Sequence, residues 1–415
     1  MESRRFLCGV AVVAIVAVVA GCSASGTRLP QSGVPAVSGA SGASPSRGVA
    51  TVAPSSAATS AAMPSMKPGT FRLIDELTGC DSEAIAALAG DGRLIVAGCG
   101  EYNGTKQVDS TKQFDPVTAK VSEVDADTEA AMRAVTLQDG RVLVVFEMDA
   151  GALVVDSKSA KSGGDIDSPG NEDSPAIGYN NATLLLNDGR VLMTGGDSGS
   201  QNIVGYPYSV LFDPASGKMS RTGSMKTARS EFTAVELADG RVLVAGGEIG
   251  SDLDSVTSKA EIYDPATAKF TATGSLRKAR YSAAGALLPG GKVLVAGGSS
   301  EDGDPLSSAE IFDPQTGKFS PTGSMTMVRG DHEGEPPLAV ALPDGRVVVM
   351  GGEDDDMNLG ATAEIYDPAT GKFKAGGAIG TTADYLTGAF LQADGTLLVV
   401  GGRDGGLATV WRYQP

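Results

Sequence analysis

Three arginines, Arg229, Arg280 and Arg329, recur at intervals of about 50 residues. Such a row of guanidinium groups can clamp a carboxylate or a sulfate through paired, charge-assisted hydrogen bonds. The same row can also brace neighbouring structural units, and both readings are open. Glu248 and Glu353 each follow a glycine doublet and could serve beside the arginines as acids or bases. His332, the only histidine, stands among Asp331, Glu333 and Glu335, where it reads either as a general base or as an exposed loop residue. Asp354-Asp355-Asp356 and Glu301-Asp302-Gly303-Asp304 carry hard oxygen ligands that would suit calcium. Neither has the spacing of a known calcium loop, and solvated acid runs are equally at home in an acidic chain. No other metal or cofactor is expected.

A repeat positions all of these residues. From Asp239 the chain reads an Asp-Gly turn, an apolar run Val242 to Ala245, the doublet Gly246-Gly247 and a polar loop. A second strand, Ala260 to Tyr263, then meets the turn Asp264-Pro265-Ala266 and leads through Phe270 to a further run before Gly290-Gly291, where the unit begins again. Short apolar runs bounded by Gly, Pro and Asp are buried strands joined by tight turns, so each unit is a four-stranded antiparallel sheet. The turn recurs at Asp91, Asp139, Asp188, Asp239, Gly290, Asp344 and Asp394. The doublet recurs at Gly195, Gly246, Gly297, Gly351 and Gly401, and the aromatic before Asp-Pro at Phe114, Phe212, Tyr263, Phe312 and Tyr366.

This pattern resembles the Kelch repeat of galactose-oxidase-like β-propellers. It differs where that family usually places Trp, seven residues past the aromatic, since Val121, Met219, Phe270, Phe319 and Phe373 stand there. The resemblance implies an all-β propeller, and the phase of the chain gives its blade count. Gly69 to Leu77 aligns with the outer strand of a unit, while the C-terminal unit stops after the strand of Ala408 to Tyr413. Seven blades are expected, the last made of three C-terminal strands and one N-terminal outer strand. The second unit, with Phe146-Glu147 in place of the doublet, reads as a degenerate blade.

The N-terminus reads as an address. Arg4 and Arg5 precede an apolar run from Phe6 to Ala20, and Val19-Ala20-Gly21-Cys22 resembles a bacterial lipobox. That resemblance implies a signal peptide over 1–21, a lipidated Cys22 and attachment to a bilayer. The pair of arginines also partly matches a twin-arginine signal, leaving the export route open. Residues 22–66, rich in Ser, Ala, Gly and Pro, read as a flexible tether spanning about 35–40 Å. The propeller is expected over 67–415, on the extracytoplasmic side. There, Cys80 and Cys99 are disulfide candidates.

A formal charge of −17 argues against nucleic acid as a partner. Among enzymes on related propellers, a copper radical oxidase needs two His and a Tyr crosslinked to Cys, which one His cannot supply. The Asp-box repeats of sialidase propellers are missing too. The expected function is that of a monomeric binding or scaffold module for a carbohydrate or a surface protein. The alternative is a carbohydrate-acting enzyme of the mutarotase or epimerase kind, using arginines and acids at the channel mouth.

Overall fold

A computed structural model describes residues 66–81, 84–102, 107–126, 131–146, 151–159, 161–162, 166, 178–198, 205–250, 255–331, 336–352, 362–379, 385–402 and 407–415. Cys22 and residues 1–65 lie outside the described residues, as do His332, Glu353 and Asp354-Asp355-Asp356.

The apolar runs form strands because their side chains are buried on both faces. Val242–Ala245, Val293–Ala296 and Val347–Met350 are buried throughout. Each is entered through the Asp-Gly or Gly-Gly turn. At Asp239-Gly240, Gly240 has φ of 82°, its N–H donates to Leu237 O (2.9 Å), and the Leu237 N–H donates to Arg241 O (2.7 Å). The Asp239 carboxylate accepts from the Arg241 N–H and guanidinium at 3.2 and 2.9 Å. At the next turn, Asp264 accepts from the Ala266 N–H (2.9 Å), which fixes the bend before the outer strand.

These turns generate seven four-stranded antiparallel sheets. Blade 1 is Ile85–Leu88, Leu94–Tyr102, Gln107–Asp115 and Lys120–Val124. Blade 2 is Ala131–Thr136, Val142–Phe146, Ala152–Asp156 and Lys161–Ser162, and its two-residue outer strand confirms that this unit is degenerate. Blade 3 is Ala182–Leu185, Val191–Thr194, Ser209–Asp213 and Lys218–Arg221. Blade 4 is Thr233–Glu236, Val242–Ala245, Ala260–Asp264 and Lys269–Ala272. Blade 5 is Ala284–Leu287, Val293–Ala296, Ala309–Asp313 and Lys318–Pro321. Blade 6 is Leu338–Ala341, Val347–Met350, Thr362–Asp367 and Lys372–Ala378. Blade 7 joins Tyr385–Leu391, Leu397–Gly402 and Leu407–Gln414 to the N-terminal strand Thr70–Asp81, as the phase of the repeat predicts. The arrangement is a seven-bladed β-propeller.

Where Trp is missing, phenylalanine does its packing. Tyr263 and Phe270, Phe312 and Phe319, and Tyr366 and Phe373 each place ring centroids 4.8 Å apart. The Tyr263 hydroxyl pairs with Thr222 Oγ1 (2.6 Å) and that of Tyr366 with Thr322 Oγ1 (2.8 Å), so each tyrosine also grips the segment leaving the blade before it. Blade 7 obtains its second aromatic from the other end of the chain: Phe71 stacks on Tyr413 at 4.2 Å, in register with it across the ladder.

This shared blade is testable by truncation. A chain beginning at Ala84 lacks the outer strand and leaves Leu407–Gln414 as an open edge, so it should associate or aggregate in size-exclusion chromatography. A chain beginning at Lys67 should remain monomeric with native melting, and equal behaviour of the two would refute the closure.

Candidate functional site

The glycine doublets bring successive blades into backbone contact. A Cβ on Gly246 would lie 2.4 Å from Arg280 O of the next blade, and one on Gly247 2.5 Å from Ser230 O, so only glycine fits. The arginines exploit that contact. Gly196, Gly247 and Gly298 donate their N–H groups to the carbonyls of Arg229, Arg280 and Arg329 of the following blade (2.9, 2.9 and 2.8 Å). Each guanidinium then turns into its own blade. Arg229 donates to Gly246 O (2.7 Å), Lys259 O (2.9 Å) and Glu261 (3.0 Å). Arg280 repeats this with Gly297 O (2.7 Å), Ser308 O (2.9 Å) and Glu310 (3.4 Å). Arg329 donates to Gly351 O (2.8 Å) and Thr362 O (3.2 Å), with Glu364 at 3.6 Å. The glutamates also accept backbone N–H groups from the turn before each arginine, as Glu261 does from Lys226 and Thr227 (2.9 and 3.2 Å).

The arginine arc is therefore a set of braces. Arg229, Arg280 and Arg329 are 0–1% exposed, and their guanidinium groups point into protein, out of reach of an anion at the mouth. Burial lowers their pKa values, and the paired glutamates oppose that shift. Of the two readings of these residues, bracing is the one their geometry fits.

A different set of polar groups gathers where the blades meet. Asn180, Glu231 and Ser282 occupy the same place in blades 3, 4 and 5, eight residues before each turn, and all have positive φ (50°, 52° and 49°). The Glu231 N–H donates to Asn180 O (3.3 Å) and the Ser282 N–H to Glu231 O (2.6 Å), so one backbone chain crosses three blades. Their side chains interlock as well. Asn180 Nδ2 donates to Asp197 Oδ2 (3.1 Å) and Glu231 Oε1 (3.3 Å), and Ser282 Oγ donates to Glu231 Oε2 (3.0 Å). The segments just past the doublets pair with the entries to the same blades, giving the bridges Tyr179 to Asp197, Ser230 to Glu248 and Tyr281 to Ser299. Asp331 is tied to the same region through its N–H to Ser299 Oγ (3.0 Å).

The carboxyls feel one another. Burial, with the charges of Asp331 and Asp197, holds Glu231 well above the usual carboxylate range. Burial beside Glu231 and Asp197 pushes Glu248 up to about 8. Tyr281 is raised to about 12 by burial and by Asp331, Glu248 and Glu231. Burial and neighbouring charge thus favour the protonated forms of Glu231 and Glu248, and a protonated carboxyl both donates to and accepts from hydroxyl groups. Glu248 is the one glutamate of the sequence-derived candidates that falls in it. Asn180, Glu231, Ser282, Asp197 and Asp331 were not among those candidates, although polar residues at one repeat position in three successive units were a readable signal. Glu301 to Asp304 form an exposed turn closed by the Ser300 N–H on Asp304 O (2.9 Å). Among the described residues, no group of three His, Cys, Asp or Glu side chains is arranged to hold a metal ion. Cys80 and Cys99 are joined as a disulfide.

Two predictions follow from these contacts. Arg280→Ala leaves Glu310 buried without its cation and should destabilise the fold by about 3–5 kcal/mol in denaturant titration, with exposed Lys318→Ala near zero as the control. Equal effects would refute the brace. For pH, Glu248 binds its proton more tightly folded than unfolded. Its stabilisation is therefore complete below its ordinary value of 4.5 and lost as pH rises through about 8. The turn aspartates Asp139, Asp188 and Asp239 have lowered values and act only below about their ordinary 3.8. The melting temperature should accordingly fall from pH 5 to pH 9, and Glu248→Gln should flatten that slope. A rising profile, or one that Glu248→Gln leaves unchanged, would count against the cluster.

The family described as Kelch motif matches residues 280–326, from the brace of blade 5 to the entry of blade 6. An F-box/kelch-repeat protein of Arabidopsis thaliana is 37% identical over 89 residues, 21% of this chain, and the chain spans only 23% of that relative's length. Among solved structures, a fungal alcohol oxidase in complex with copper superposes with a TM-score of 0.61 over 84% of this chain and 76% of its own, at 20% identity, a likeness of fold alone. The sequence has one histidine, His332, which lies outside the described residues, and Cys80 and Cys99 are joined to each other. With seven repeating blades and a matched motif, the chain is a seven-bladed β-propeller that carries a Kelch motif at residues 280–326.

Proposed function

We propose that this propeller is the folded head of an exported, lipid-anchored binding protein, and that its ligand is a neutral, hydroxyl-rich molecule, a carbohydrate, bound at the cluster of Asp197, Glu231, Glu248 and Asp331. The observation that carries the reading is the division of charge. The arginines are withdrawn into the blades, while the amide of Asn180, the carboxyls of Asp197 and Glu231 and the hydroxyl of Ser282, from three successive blades, meet at the blade junctions. Carboxyl, amide and hydroxyl groups suit sugar hydroxyls, and with the arginines withdrawn they offer no cation to the acidic glycan that an arginine arc would have taken. Anchoring rests on the lipobox-like Val19 to Cys22, and export is supported by the Cys80–Cys99 disulfide, a bond that persists in oxidising compartments.

A second reading draws on the same carboxyls. Glu248 at about 8 and the raised Glu231 form a pair of titratable groups of the kind that exchanges protons with a sugar ring, so a mutarotase-like or epimerase-like activity is the rival.

Calorimetry on a panel of neutral and acidic oligosaccharides tests the ligand class. Glu231→Gln and Glu248→Gln should each weaken a neutral sugar by about 1.5–3 kcal/mol. Preferred binding of acidic sugars, or unchanged affinity in both variants, would overturn the site. Polarimetry on the same panel decides the rival, since turnover abolished by Glu248→Gln would make the head an enzyme. For the anchor, mass spectrometry of the membrane fraction should find acyl chains on Cys22 and none in Cys22→Ala. A mature N-terminus without acyl chains would remove the lipoprotein reading.

A further inference from the structure

The Arg–Glu braces occur together in blades 4, 5 and 6 and fail together elsewhere. At the two brace positions, blade 1 has Asp81 and Lys112, blade 2 Glu129 and Leu153, blade 3 Gly178 and Val210, and blade 7 Asp384 and Trp411. Blade 3 has only a local contact there, Asn181 Nδ2 donating to Gly178 O (2.7 Å) within the entry segment. Blade 1 carries a heavier load, because the strand leading into it, Thr70–Asp81, is also the outer strand that closes blade 7.

At that point the repeat is altered by two residues. Cys99 stands where blade 4 has Gly247, and Cys80 where it has Ala228, next to the brace position. Their disulfide links the entry of blade 1 to its second strand at the repeat position of the doublet, much as Arg229 links the entry of blade 4 to Gly246. Both cysteines are fully buried in a core shared by blades 7 and 1, with Leu77, Val96, Val400 and Val410. The strands at this seam are also long, 12 residues for Thr70–Asp81 and 9 each for Leu94–Tyr102 and Gln107–Asp115, against 4 for Val242–Ala245.

We propose that the Cys80–Cys99 disulfide is a covalent substitute for the missing brace, and that its formation precedes and fixes the closure of the ring. In the closed ring no oxidant or reductant reaches the sulfurs, which are 0% exposed, so the bond must form while the N-terminal strand is still lifted from Leu407–Gln414. Two thiols lose two protons and two electrons to a disulfide oxidant, which leaves as a dithiol. The new bond then holds the root of the closing strand in line with blade 1, so that pairing with Leu407–Gln414 becomes a local event. Once closed, the ring shields the bond from reduction. The oxidation step rests on the export proposed above, whereas the latch itself does not.

The test uses the purified mature chain and Cys80→Ala/Cys99→Gly, which gives blade 1 the residues of blade 4. Hydrogen exchange should accelerate tenfold or more in residues 70–81 and 407–414 and stay unchanged in blades 4 to 6, and the melting temperature should drop by about 5 °C or more. If that variant fails to fold, the wild type supplies the readout. Reductant without denaturant should open the disulfide no faster than residues 70–81 exchange, and the reduced protein should show the same local acceleration. Free thiols in the native protein, rapid reduction, or exchange at residues 70–81 that is indifferent to the bond would each overturn the latch. None of these results depends on where the chain is located or what it binds.

Discussion

Everything in this ring depends on how closely one blade's backbone can approach the next. The second glycine of the doublet gives its N–H to the carbonyl of the following blade's arginine, and that arginine reaches on to the first glycine of its own doublet. The carbonyl at one end and the guanidinium at the other belong to a single residue, so neighbouring junctions are mechanically coupled. A guanidinium suits the task because it offers several fixed donors and remains charged when buried beside a carboxylate. The glutamate partner is equally occupied, holding the preceding turn through backbone N–H groups as well as the arginine.

Much of this was legible in the sequence because it was repeated. The turns and doublets fixed seven blades, and the phase of Phe71 against Tyr413 gave the closure that the stacked rings realise. The direction of the arginines was not legible from their own positions, since a residue beside a channel can point into the opening or into the sheet. The deciding signal lay elsewhere: Glu261, Glu310 and Glu364 stand two residues before Tyr263, Phe312 and Tyr366 in the same three blades that have the arginines. Residues that appear and vanish together across repeats are partners. The cluster was harder to see, because Asn180, Glu231 and Ser282 differ in type and acquire a common role only through a shared left-handed backbone and the contact of three blades.

The division of labour among charges follows from solvation. A buried cation is tolerated only beside a counter-charge, so the arginines of a net acidic protein are drawn inward to glutamates that also need partners. Glu231 and Glu248 at the junctions are buried beside other carboxyls, and both effects favour their protonated forms. The fold thereby supplies an acidic cluster as a by-product of its bracing, with a character set by which blades carry which residue at one repeat position.

The closing strand has a mechanical meaning. With the anchor proposed above, tension drawn through the N-terminal segment enters the head at Gly69, whose N–H is bonded to Gln414 O, and passes along the ladder from Phe71 and Tyr413 toward Asp81 and Leu407. Peeling would therefore advance one rung at a time until it met Cys80, where the load transfers to a covalent bond seated in blade 1. The disulfide acts as a tear-stop: a pulled head would surrender one outer strand while the other six blades kept their hydrogen bonds, and release of the load would let that strand re-zip.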